Sequence, residues 1–333
     1  MSDVAKLAGV GIKTVSRVIN GEPNVSEATS ARVLAAVKQL DYRQDIYAGN
    51  LRRGGSRTQT LGLLVSSVAN PFASVLHRAV EEMAAARGVA TFAASLDDNP
   101  ENERRMVDAF VRRRVDGLIL TTIAPDQGYL WTELGRGTPM VFVDRIPANI
   151  TADTVVCDNE EGAASAVRHL IAHGHRRIAY MGDLAQIRTA KDRYQGYVWE
   201  LNRAGLPIDE SIVVHDLHNE ESATDAARRL FSGDHPPTAV FSAQNLITIG
   251  LIRALRELGL NHEVAIVGFD DVALADLLDP PVTVVAQDPY RIGEVAAERL
   301  FARLDDDTSP PKTIVIPTRL VVRGSGEIAP RHP

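Results

Sequence analysis

Cysteine is nearly absent from this chain: Cys157 stands alone among 333 residues, so no intrachain disulfide can form, which fits a reducing, cytoplasmic home. Aromatic residues make up only 5 %, so aliphatic side chains must carry the packing. No apolar run approaches the roughly 18 residues that span a bilayer, and no charged-then-apolar leader opens the chain. The catalytic signatures GxSxG, Walker A and GxGxxG after a strand are also missing. What remains is an ordinary globular composition, 45 % hydrophobic and 24 % charged, long enough for two or three domains.

The net charge of −7 argues at first against nucleic acid, but its distribution reverses that. Residues 1–57 hold nine Lys/Arg against five Asp/Glu, whereas the remainder holds 27 against 38. A small basic module on a larger acidic body suits a DNA reader with a separate sensor.

Residues 3–20 read DVAKLAGVGIKTVSRVIN. Val4, Ala5, Leu7 and Ala8 give a first helix an apolar face, and Val15, Val18 and Ile19 give a second one the same at i, i+3 and i+4. Gly9-Val10-Gly11 makes the turn between them. The outward residues of the second helix, Lys13, Thr14, Ser16 and Arg17, offer cations and hydroxyls to phosphates and bases. Gly21-Glu22-Pro23-Asn24 stops that helix. Ser26 caps a third, on which Val33, Leu34, Val37 and Leu40 form the apolar stripe.

Val4-Ala5, Ala8-Gly9-Val10 and Thr14-Val15-Ser16-Arg17-Val18-Ile19-Asn20 resemble the start of the LacI/GalR family of transcription regulators. The likeness continues through Asn70-Pro71-Phe72, Val143-Asp144-Arg145, Gly174-His175-Arg176-Arg177-Ile178, Val267-Gly268-Phe269-Asp270-Asp271 and the run from Pro317 to Gly324. It implies an α/β protein with a small all-α helix-turn-helix headpiece (1–44), a hinge helix and linker (45–57), and a two-lobed periplasmic-binding-protein-like sensor (58–328) of parallel sheets flanked by helices. It also implies three crossovers between the lobes, with ligand in the cleft. Spacing alone supports the alternation, with strands at 61–65, 89–94, 117–120 and 140–143, then 178–181, 212–214, 239–242 and 264–267. Helices such as 72–87, 101–113, 160–173 and 246–258 lie between, and the tail adds 282–285, 289–304, 313–316 and 320–322.

By the same resemblance, Gly11 opens the recognition helix, and Ile12 and Lys13 take the positions that vary most between members. Thr14, Ser16, Arg17 and Asn20 complete the operator contacts. In the hinge, Leu51 matches the wedge leucine, with Asn50 and Arg52 beside it. The sensor cleft would hold a small effector through Phe72, Asp144, Arg193, Asn245 and Gln287. A neutral sugar or polyol is the preferred effector; an anionic derivative comes second, on the ground that Gln244-Asn245 stands where the family usually has Asn-Asp, so Arg193 would face less competing negative charge. Leu217 and His218 fall near the family's aromatic platform. Asp270-Asp271 reads as a structural motif after a strand, and His175 as part of a structural turn.

Two histidines at i, i+4, His169 and His173, have metal-ligand spacing, but no glutamate completes an HExxH pattern, so neither metal nor cofactor is expected. The expected partners are pseudo-palindromic double-stranded operator DNA, a carbohydrate-like effector and a second copy of the chain, with no membrane. The glycines and prolines from Gly324 onward oppose a tetramerising heptad. The leading reading is a DNA-binding repressor under allosteric control. The alternative is the solute-binding protein of a sugar transporter, which needs export and leaves residues 1–57 without a role. An enzyme on a doubly wound sheet would lack a nucleophile, metal set or phosphate loop.

Overall fold

The computed structural model describes residues 1–42 and 57–330. The expected hinge helix, with Asn50, Leu51 and Arg52, lies outside the described residues. The chain forms two compact units, Met1–Thr58 and Gln59–Pro333.

The first unit holds α1 (Ser2–Ala8), α2 (Ile12–Ile19) and α3 (Glu27–Gln39). Gly9 ends α1 with φ 62°, a left-handed cap that costs glycine no Cβ clash. Ser26 caps α3 by accepting from the Thr29 amide. Val4, Ala5, Ala8, Val15, Val33 and Ala36 form the core. Leu7, Leu34 and Leu40 do not join it: they are 47 %, 55 % and 43 % exposed. At 100° per residue, Leu34 points well away from Ala36, and Leu7 from Ala5. Leu40 has the right angle but is the C-cap of α3, beyond its last packed turn.

The second unit contains two six-stranded sheets. The first comprises β1 (Thr60–Val65), β2 (Ala90–Ser95), β3 (Gly117–Leu120), β4 (Met140–Val143), β5 (Asp153–Cys157) and β11 (Thr313–Ile316), in the order β11-β5-β4-β3-β1-β2. The other comprises β6 (Ile178–Met181), β7 (Val213–Val214), β8 (Ala239–Ser242), β9 (Ala265–Phe269), β10 (Thr283–Ala286) and β12 (Arg319–Val321), ordered β12-β10-β9-β8-β6-β7. Their flanking helices are α4 (Pro71–Ala85), α5 (Pro100–Arg112), α6 (Trp131–Gly135), α7 (Asn159–Ala172), α8 (Arg188–Arg203), α9 (Glu220–Phe231), α10 (Asn245–Glu257) and α11 (Pro289–Leu304). The central strands are buried throughout, as parallel strands covered on both faces must be.

Three details depart from the sequence reading. The short run Asp153–Cys157 is a fully buried strand that the alternation did not announce. β2 is an edge strand, and Ala90, Phe92 and Ala93 are exposed. β12 runs antiparallel to β10. The chain passes between sheets three times: from β5 through α7, from β10 to α11, which packs on β3, β4 and β5, and from β11 to β12.

The helix pairs on the second sheet pack very tightly. A Cβ on Gly250 of α10 would lie 2.4 Å from the Glu220 carbonyl oxygen of α9, and one on Gly196 of α8 2.2 Å from that of Glu160 in α7. Gly250→Ala gains about 1 kcal/mol of helix propensity, but must spread two backbones, typically at a cost of about 1–3 kcal/mol. The expected net result is a lower urea midpoint for the sensor unit. An unchanged or higher midpoint would show that α9 and α10 part freely.

Candidate functional site

On α2 the side chains sort by angle. Val15 is buried, whereas Ile12, Lys13 and Arg17 project into solvent. Thr14, Ser16 and Asn20 are half-buried, and Asn20 Nδ2 donates to Ser16 Oγ at 3.2 Å. Gly11 occupies the N-cap in extended backbone, with no side chain to satisfy the helix amides. Arg17 is only loosely tied, 4.0 Å from Glu22, with both side chains about half exposed. An exposed pair of this kind contributes little, so the guanidinium can turn to a phosphate at small cost.

In the sensor unit, the strands of both sheets end at a common cleft of about 330 Å³. Many of the residues facing it follow the carboxyl end of a strand: Ser66 after β1, Asp98 after β2, Asp144 and Arg145 after β4, Asp183 after β6, Gln244 after β8, Asp270 after β9 and Gln287 after β10. This is where ligands bind in open parallel sheets. Asn70 caps α4 through the Phe72 amide, and Pro71 starts that helix, which brings Phe72 to the cleft wall.

Two aspartates are placed alike, one in each lobe. Asp144 directly follows β4 with φ 68°, and Asp270 directly follows β9 with φ 71°. Each donates its amide to the neighbouring strand, to Val155 at 3.0 Å and Val285 at 2.9 Å. Burial pushes both carboxyls above the usual range, and the adjacent guanidiniums, Arg145 and Arg193 for Asp144 and Arg193 for Asp270, pull the other way. Arg145 lies 2.8 Å from Asp98 and 3.4 Å from Asp144. Arg193, buried on α8, donates to Asn159 Oδ1 and the Ala243 carbonyl, both at 2.8 Å; it approaches Asp270 at 3.9 Å and lies 3.8 Å above the Phe269 ring. Each cation thus has at least one carboxylate within 4 Å. Gln287 donates to Asp270 at 2.6 Å, and its Oε1 is buried with no partner among the described residues.

Phe72, Asp144, Arg193 and Gln287 thus come together at the cleft. Asn245 is not among the residues that face it: its amide and that of Asn70 bond reciprocally, at 3.0 and 3.4 Å, and so join the lobes. Asp270 is a correction to its purely structural reading. The left-handed turn swings it into the cleft, while Asp271 points away to Arg323 at 2.6 and 2.8 Å. The repetition of an apolar strand ending in aspartate, MVFVD and AIVGFD, was the available signal. His175 is buried between Thr238 and the Ile328 carbonyl, as a structural residue should be. Burial raises the Cys157 thiol and leaves it inert.

A helix-turn-helix unit on one chain with a two-lobed cleft defines a ligand-responsive DNA-binding regulator. Residues 1–45 match the bacterial regulatory proteins of the lacI family, and residues 167–326 match a periplasmic binding protein-like domain. The chain is 33 % identical over 330 residues to the ribose operon repressor of Escherichia coli (strain K12), covering 98 % of this chain and 99 % of that one. A lac repressor dimer bound to operator and the anti-inducer ONPF superposes with a TM-score of 0.85 at 26 % identity, covering 97 % of this chain and 98 % of that one. A LacI family regulator from Enterococcus faecium with bound ribose gives 0.73 at 25 % identity, over 82 % of this chain and all of that one. The chain belongs to the LacI family, and is a DNA-binding transcription regulator under effector control. Among the described residues no helix is long and apolar enough to cross a membrane.

His218 links the lobes electrostatically, with Nδ1 3.0 Å from Asp183 and Nε2 3.7 Å from Asp98. The hydrogen bond with Asp183, then the charges of Asp183 and Asp98, raise its pKa against the opposing pull of burial. A raised native pKa means that this stabilisation is complete below the unfolded value of about 6.5 and fades as pH climbs through the native one. His218→Gln should therefore lower the urea midpoint at about pH 6, and the deficit should shrink toward about pH 9. A deficit independent of pH would assign His218 a packing role only.

Proposed function

We propose that this chain is a homodimeric, cytoplasmic repressor that binds rather than transforms its effector, a neutral polyhydroxylated sugar. The observation that carries the ligand class is the charge state of the cleft. Its two guanidiniums are already matched by Asp98, Asp144 and Asp270, so an anionic effector finds no spare cation. Carboxylates and the unpartnered Gln287 Oε1 instead offer acceptors to hydroxyl donors. Phe72 supplies an apolar face for the C–H side of a ring. Ribose, named for the E. coli relative and for the ligand of the E. faecium regulator, is the first candidate.

Palindromic operator reading needs two copies of α2. Exposed Val75 and Phe92 on one lobe, and Leu274 and Leu277 on the other, supply apolar surface for a partner copy. The proposed domains are the headpiece 1–44, the hinge 45–57 and the sensor 58–328. The proposed operator contacts are Gly11, Ile12, Lys13, Thr14, Ser16, Arg17 and Asn20 on α2, together with Asn50, Leu51 and Arg52. The proposed effector contacts are Phe72, Asp144, Arg193 and Gln287, with Asn245 acting through the lobe contact.

The test is titration calorimetry with D-ribose and other neutral polyols, paired with selection of bound DNA from a random pool. Asp144→Asn should weaken the sugar by at least about tenfold, the value of one charge-assisted hydrogen bond, and leave effector-free operator affinity unchanged. A sugar-phosphate that binds while neutral sugars do not would overturn the ligand class.

Lys13→Ala should cost about 1–3 kcal/mol at a single base pair, with Lys13 donating to guanine and Ile12 covering a thymine methyl. Gel shifts across a panel of operator variants would show this as relaxed choice at one position. A uniform loss on all sequences would make Lys13 a phosphate contact.

A further inference from the structure

We propose a divalent transition-metal site, best suited to zinc, formed by His169, His173 and Glu327 on the second lobe. The two histidines are one turn apart in the last stretch of α7, His173 being its C-cap. The third group comes from far along the chain, on the short helical turn Ser325–Glu327. One ligand atom from each residue lies within 4.8 Å of the others. Tetrahedral coordination at about 2.0–2.1 Å places ligand atoms roughly 3.3 Å apart, within reach of small side-chain rotations.

The surroundings prepare two of the ligands and bring the third to them. His173 Nδ1 lies 2.9 Å from the His169 carbonyl, which can only accept. The proton is therefore on Nδ1, and the Nε2 lone pair is left for a metal. A backbone carbonyl on the other ring nitrogen is the usual outer support of a ligating histidine. His169 Nε2 already faces Glu327 Oε1 within hydrogen-bond reach. The second carboxylate oxygen accepts from Thr283 Oγ1 at 3.2 Å, which fixes the plane of the carboxylate. The His169 side chain is 11 % exposed and that of Glu327 27 %, so the group is sheltered but reachable. Two imidazoles and a carboxylate with water in the fourth position form a recognised zinc donor set.

The site is separate from the cleft. His169 stands ten residues along α7 from Asn159, which bonds Arg193, a rise of about 15 Å. It would instead fasten the final turn to the sheet. Ser325 Oγ donates to the Ile266 carbonyl and accepts from the Thr283 amide, so a metal on Glu327 locks that turn against β9, β10 and α7 together.

The experiment uses the full chain with any affinity tag removed, stripped with chelator and dialysed. Zinc chloride is added, with magnesium chloride as control, and retained metal and thermal midpoint are measured. The expected result is one zinc per chain and a raised midpoint with zinc only. Cobalt(II) in its place should give the intense visible bands of a tetrahedral site. His173→Gln leaves the His169–Glu327 pair intact, yet should weaken zinc at least tenfold and abolish the cobalt bands, with sugar and operator affinities of the metal-free protein unchanged. Glu327→Gln should also lose zinc. If the wild type retains no stoichiometric zinc at micromolar free metal, or if both variants retain it as well as the wild type, the contact is an ion pair only and the proposal is wrong.

Discussion

Buried carboxylates at the mouths of two sheets are the constraint on which the sensor depends. Asp144 and Asp270 are each placed by a left-handed turn at the end of a strand, where burial opposes their ionised form. They stay tolerable because Arg145 and Arg193 stand beside them, and those cations are in turn buried and need the carboxylates. Removing one member leaves an uncompensated charge in the interior, which costs far more than an intact pair contributes. The Arg193 charge acts on carboxylates of both lobes, so this lattice is shared across the cleft.

The lattice also makes the cleft two-sided in a mechanical sense. Asn70 meets Asn245, and Asp98 meets His218, each pair with one partner from each lobe. The three chain passages between the sheets act as the connections about which the lobes can move. A sugar that supplies hydroxyls to both sets of acceptors stabilises one lobe arrangement over others, and only such differential contact can shift the equilibrium. Because sensor and DNA-reading helices share one chain, a shift in the first can be read out by the second.

Much of this was legible in the residues. Apolar strands alternating with amphipathic helices gave the doubled parallel architecture, and the motif around Arg193 located a cleft residue. Apolar character misled in the headpiece where helical angle would not have. Leu7 and Leu34 look apolar-periodic, yet three small helices bury only one face each. The strand Asp153–Cys157 escaped because a central strand needs neither alternation nor length once helices cover it. Asp270 was hidden by reading it, with Asp271, as a structural motif, although its positive φ turns it into the cleft. Glu327 could not be matched to His169 from spacing, because 158 residues separate them and only the tertiary fold brings them together.

The central claim is that the cleft and the DNA-reading helices are coupled by one free energy. Coupling of this kind is reciprocal: operator DNA must change sugar affinity by the same factor by which sugar changes operator affinity. The direct measurement is calorimetric titration of sugar into the free protein and into its saturated operator complex at one salt concentration, beside operator titrations with and without sugar. The account predicts two equal factors, in the range of about 5–150 typical of allosteric proteins. Sugar affinity that is identical with and without operator would contradict it, and would leave the cleft a binding site with no regulatory consequence.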